Sequence, residues 1–263
     1  MHLFDHSISL SQQASTTFEG LVSGDWSING SANGGYLMAM LANALMQQGE
    51  NKPLSIFTAN FISRCLPGKA DVILESIGAS KNFARWQIGL SQNGQEKVRA
   101  FGTFANNGKE GEEKIYETSA PLMPLPEECI AVPEIPNYTL YSRMDVRLTP
   151  DCAGWMQGDL SDRSEIRGWI RFKDERPLDT LAILLMADAF PPAVLASQGM
   201  VAWVPTIEFS VNMRNIPKTQ WLKCVFRSRF VSGGIAEEDG EIWDEAGELV
   251  AISRQIVRFR KNA

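Results

Sequence analysis

Histidine is almost absent from this 263-residue chain: His2 and His6 are the two that occur, and both fall in the first few residues, where chains commonly fray. A Ser-His-Asp or Cys-His nucleophile, a histidine-rich metal centre and a hydratase built on an Asp/His pair each need a positioned imidazole, so all three are disfavoured. Cysteine is scarce as well. Cys65, Cys129, Cys152 and Cys224 are far apart and form no CxxC pair, which suggests neither a zinc site nor a disulfide framework. No apolar run reaches the roughly 18 residues that a membrane-spanning helix requires, and the start around Asp5 and His6 lacks the charged-then-apolar order of a signal peptide, so a cytoplasmic protein is expected. Clusters of Lys and Arg are missing and the formal charge is -6; nucleic acid is not an expected partner, and any anionic ligand must be met locally. No metal or other cofactor is expected.

What is present is 44% hydrophobic residues, enough for a sizeable core. The stretch 33–48 (NGGYLMAMLANALMQQ) opens on Asn-Gly-Gly and is apolar or small nearly all round, as in a fully buried helix. Strand-like runs follow near 54–66, 69–79, 82–93 and 97–106, broken by Pro67-Gly68 and Asn93-Gly94, and predict a meander. Residues 107–136 turn polar and then proline-rich, as a linker does. The pattern then restarts: a strand near 164–173, a helix from about Asp179 to Phe190 stopped by Pro191-Pro192, and strands near 201–215, 219–231, 236–245 and 248–260. Two units (1–107 and 137–263) joined by a linker (108–136) are therefore expected. Each leaves a sheet edge that the other copy can cover.

Superposing the halves by their short matches, such as Arg64-Cys65-Leu66-Pro67 with Arg214-Asn215-Ile216-Pro217, pairs Asn43 with Asp188, Thr58 with Thr206 and Thr103 with Gln255. In the second half these positions hold a carboxylate, a hydroxyl and an amide, a set able to fix one water by donating and accepting hydrogen bonds. Asp188 is the sole charge in the Leu181–Phe190 segment, where an ionised carboxylate needs compensation, unless it reaches solvent at the helix end. Gln255 lies in a run apolar on both faces and is either buried and paired or a ladder-supporting surface residue. Thr206 alternates with Trp203, Ile207 and Phe209, which places it on the less apolar face; alone it is simply a good strand residue.

The helix segment Met186-Ala187-Asp188-Ala189-Phe190, the strand opening Thr206-Ile207-Glu208-Phe209-Ser210 and the final strand from Glu248 to Gln255 resemble the acyl-CoA thioesterase II family. That resemblance spans most of the chain. It implies an α+β double hotdog, two fused units each with an antiparallel sheet wrapped around a central buried helix, and a thioester hydrolase whose catalytic water is oriented by Asp188, Thr206 and Gln255. The chain departs from the family in having Phe209 where a histidine follows the threonine, and in its long proline-rich connection. The expected partner is acyl-CoA. Gly34 and Gly35, at a helix N-terminus, are expected to polarise the thioester oxygen or simply to permit close packing. Tyr36, Phe57 and Phe61 are expected to line the acyl site, or to be ordinary core. Arg64, Lys69, Lys81, Arg85 and Arg214 are the cations available for CoA phosphates. A non-catalytic acyl-CoA binder and, less favoured, a hydratase or dehydratase on the same fold are the alternatives. An exposed sheet edge leaves room for a homodimer or higher homo-oligomer.

Overall fold

The computed structural model describes residues 1–48, 52–106, 114–200 and 204–260. The polar start of the expected linker, at 107–113, and Trp203 lie outside them. Helix α1 spans Gly34–Met46 and begins where Asn33 Oδ1 accepts the Tyr36 amide at 2.9 Å, an N-cap that satisfies a donor no helical carbonyl can reach. Most of its residues are buried, as its all-round apolar sequence predicts. Helix α2 spans Thr180–Met186 and is capped in the same way, with Asp179 Oδ1 accepting the Ala182 amide at 2.8 Å. It stops short of the expected Phe190. Ahead of Pro191-Pro192 the chain tightens into turns in which Asp188 N donates to Leu185 O and Ala189 N to Met186 O.

The principal strands are β1 (Leu10–Ala14), β2 (Thr17–Val22), β3 (Leu54–Phe61), β4 (Gly68–Ala79), β5 (Phe83–Gln92), β6 (Gln95–Ala105), β7 (Met144–Leu148), β8 (Ser164–Phe172), β9 (Thr206–Met213), β10 (Leu222–Ser228), β11 (Ile235–Asp244) and β12 (Leu249–Arg258). With two short additions, Ile130–Ala131 and Val231–Ser232, they form one 14-stranded antiparallel sheet in the order β1-β2-β4-β5-β6-β3-β9-β12-β11-β10-β8-β7. The order is symmetric about the β3·β9 pair, with one helix inside each half: a double hotdog. The predicted meander is corrected in one respect. β3 does not pair with β4; it crosses over to β6 and so frees its other edge for β9. Of the strands before each helix, β1, β2 and β7 were not foreseen: β1 and β2 alternate weakly, and β7 alternates cleanly, with Met144, Val146 and Leu148 buried, but is short.

Strand register also corrects the superposition of the halves. Both β3 and β9 carry a bulge near their start, against β6 between Leu54 and Ile56 and against β12 between Thr206 and Glu208. Matching the bulges makes Leu54 the counterpart of Thr206. Phe57 pairs with Gly102 and Phe209 with Gln255, so Gly102 is the counterpart of Gln255. Matching the N-caps Asn33 and Asp179 sets Ala42 against Asp188. The short sequence matches slipped because Gly102 carries no side chain to announce itself, and a four-residue shift on β3 preserves the two-residue alternation. Asn43 instead donates to Ile8 O.

The chain's start is anchored rather than frayed. Phe4 is fully buried against Trp26 and Phe172, and Asp5 pairs with the buried Arg176. The proline-rich connection is docked as well: Pro124 O accepts the Trp169 indole N–H, and Ile130–Ala131 pairs with β7. Helices α1 and α2 approach so closely that a Cβ on Gly35 would lie 2.5 Å from Leu184 O and 2.9 Å from Leu185 O. These are backbone atoms of a packed helix and cannot swing aside. Gly35→Ala should therefore lower the unfolding free energy by about 1–3 kcal/mol. Urea denaturation checks this, and an unchanged midpoint would show the contact to be looser than described.

Candidate active site

A cavity of about 730 Å³ opens at the seam between the two units. The first unit contributes Asn33, Gly34 and Phe61 to its wall, and the second Asp188, Thr206, Glu238 and Gln255. Much of the remaining lining is apolar, including Trp155, Met156, Phe190 and Leu195.

Asp188 sits on the turn after α2 and faces this cavity. Its Oδ2 accepts the Gly35 amide and Asn33 Nδ2, each at 2.9 Å, and Asn33 Nδ2 also reaches Asp188 O at 2.9 Å. Its Oδ1 accepts Gln255 Nε2 at 2.9 Å, and the same Gln255 amide donates to Thr206 Oγ1. The three residues expected to act together thus form one hydrogen-bonded chain. Burial pushes the Asp188 carboxyl up to about 6, and the Gly35 amide, Gln255, the Gly34 amide and Asn33 pull it back toward the ionised form. The positive end of the α1 dipole works in the same direction.

Thr206 was expected on the less apolar strand face with Glu208 and Ser210. The bulge between Thr206 and Glu208 corrects this: Thr206 pairs with Val257, Phe209 pairs with Gln255, and both point inward, while Ile207 is exposed. One extra residue re-aims a hydroxyl into the cavity. The Gly35 amide donates to the Asp188 carboxylate and so is not free to polarise a thioester oxygen, while Gly34 lines the cavity wall. Phe61 lines the cavity. Tyr36 and Phe57 do not; both are fully buried, and Tyr36 Oη donates to Ser7 O and accepts the Ser23 amide. On a helix buried all round, an aromatic near the site can equally face away from it. Of the cations considered, Arg64 borders the cavity, and Arg258 joins it from β12.

Two residues were missed. Asn33 is both the cap of α1 and a direct donor to Asp188, a role hidden because the acceptor lies in the other unit. Glu238 on β11 stands opposite Gln255 in the ladder. The readable signal was its phase, since Ala236, Gly240 and Ile242 on the same strand face are buried.

The architecture and this seam-borne cavity place the chain among double-hotdog proteins. The chain belongs to the acyl-CoA thioesterase family: residues 126–259 match the acyl-CoA thioesterase C-terminal domain and residues 22–105 the N-terminal domain. A protein of Thermobifida fusca described as a candidate thioesterase II superposes with a TM-score of 0.90 at 24% identity over 99% of this chain and 98% of its own. A conserved hot dog fold protein of unknown function from Alicyclobacillus acidocaldarius gives 0.90 at 22% identity over 100% of both chains. These likenesses show the fold. An uncharacterized protein of Mycobacterium tuberculosis is 25% identical over 271 residues, covering 92% of this chain and 91% of that one.

The Asp188 carboxyl lies above its ordinary 3.8 when folded. Its contribution therefore favours the folded state in acid and is lost as pH rises through about 6. Asp188→Asn removes that titration. Relative to wild type, the variant should gain up to about 3 kcal/mol of stability between pH 4 and pH 8. Denaturant midpoints across this range test it, and a pH-independent difference would refute a buried ionising Asp188.

Proposed function

We propose that this protein hydrolyses acyl-CoA thioesters to the free carboxylic acid and CoA, using a water held by Asp188, Thr206 and Gln255. The observation that carries this reading is the hydrogen-bonded chain from Asp188 through Gln255 to Thr206 on the wall of a largely apolar cavity. Oδ2 of Asp188 is taken by two donors, but Oδ1 takes one, which leaves it a lone pair for a water proton. Thr206 Oγ1 accepts from Gln255, so its own proton is free to meet the water or the thioester oxygen. Both hydrogens of the Gln255 amide nitrogen are engaged, which leaves its carbonyl oxygen as a further acceptor.

In this mechanism the water attacks the thioester carbon while its proton passes to Asp188, and the thiolate of CoA departs as the tetrahedral intermediate collapses. A carboxyl near pH 6 suits the task, since it is ionised at neutral pH yet more basic than a solvated aspartate. The fixed partners replace a solvent collision with a held geometry. No covalent enzyme intermediate is required. Both histidines lie away from the cavity wall, which leaves the hydration reading without its imidazole.

Two measurements test the proposal. Asp188→Asn should cut kcat/KM on an octanoyl-CoA substrate by about 10²–10⁴-fold, read from released thiol. Wild-type activity should also fall on the acid side with a midpoint near pH 6, the neighbouring Glu238 and Tyr141 being the other titratable groups that interact with Asp188. Full turnover by the variant would remove Asp188 from the chemistry.

A further inference from the structure

Glu238 projects from the inward face of β11, between Ala236 and Gly240, where the fold otherwise places small or apolar residues. Its Oε2 accepts the Ala193 amide. Its Oε1 takes no hydrogen bond from any described residue, and the residue lines the cavity beside Phe190, Pro192, Leu195 and Val257. The charges next to it in sequence are engaged elsewhere: Glu237 accepts the Arg229 and Phe230 amides, and Asp239 pairs with Arg229 and Arg254. A carboxyl oxygen left unmatched in an apolar site costs more than an apolar side chain of the same size, unless the ligand brings a partner. Its Cα neighbour across the ladder is Gln255, so a ligand group meeting Glu238 lies close to the reacting carbonyl.

We propose that Glu238 selects acyl groups that carry a hydroxyl near the thioester carbonyl, the hydroxyl bonding the carboxyl oxygen that faces the cavity. This rests on the thioesterase reading above. Burial and the nearby Asp188 hold the Glu238 carboxyl up to about 7, so both protonation states are populated at neutral pH. A hydroxyl suits both, donating to the carboxylate and accepting from the acid, whereas an ammonium suits one.

The test compares wild type, Glu238→Leu and Glu238→Gln on octanoyl-CoA and on octanoyl-CoA hydroxylated at carbon 2, 3 or 4. Wild type should favour at least one hydroxylated substrate by tenfold or more in kcat/KM. Glu238→Leu should collapse that ratio, and Glu238→Gln, whose amide oxygen can accept the Ala193 amide while its NH2 donates to the hydroxyl oxygen, should retain part of it. A wild-type ratio near one at every position overturns the proposal while leaving the thioesterase reading standing, as does a ratio that survives in the leucine variant. Should the leucine variant not fold, the wild-type ratio and its change in the glutamine variant decide. No hydrolysis of any of the four substrates by wild type overturns both.

Discussion

The arrangement of this molecule turns on one buried carboxylate held across the seam between two units. Asp188 belongs to the second unit, yet two donors to its Oδ2, the Gly35 amide and Asn33 Nδ2, come from the first. An ionised carboxylate removed from water without such donors would neutralise or unfold its surroundings. The units must therefore be locked together for the charge to persist. The β3·β9 ladder and the close crossing of α1 over α2 provide that lock, and Gly35 is the position at which the crossing and the hydrogen bond meet.

Duplication offers two places for such a site, and the fold uses one. The positions that would hold a twin acid, hydroxyl and amide are occupied by Ala42, Leu54 and Gly102, and Leu45 packs into the space that a side chain on Gly102 would need. The first unit lends a helix N-terminus and the second supplies the acid and the strand groups. Each half thus specialises: one stabilises charge and the other does the chemistry proposed here.

Most of the architecture was legible because it follows from periodicity. The buried helix at 33–48, the restart of the pattern after the prolines and the strands from 54 to 106 and from 206 to 260 all read correctly in kind. The weakly patterned β1 and β2 did not, since their stability comes from sheet neighbours rather than their own sequence, and β7 did not because its clean alternation runs for five residues only. Asp188 stood out as a lone charge in an apolar segment, which is a local signal. Thr206 was assigned to the wrong face because a bulge is invisible to strict alternation, and it reaches the site because of that bulge. Asn33 and Glu238 were missed for a different reason: each matters through a partner far away in sequence, Asp188 or the cavity itself.

The balance around Asp188 also explains why so many donors converge on one group. Burial alone would drive the carboxyl upward toward protonation at neutral pH, when it could take no proton from a water. The amides of Gly34 and Gly35, with Gln255 and Asn33, oppose that rise. A richer set of donors would return the group to the range of a solvated aspartate, ionised but too weak a base to assist attack. Gln255 gives its nitrogen to Asp188 and Thr206 together, so the group that steadies the proposed base also positions the hydroxyl. In the mechanism proposed above, the same amide would couple the electrostatics of the acid to the placement of the attacking water, and on that proposal the three residues act as a single device.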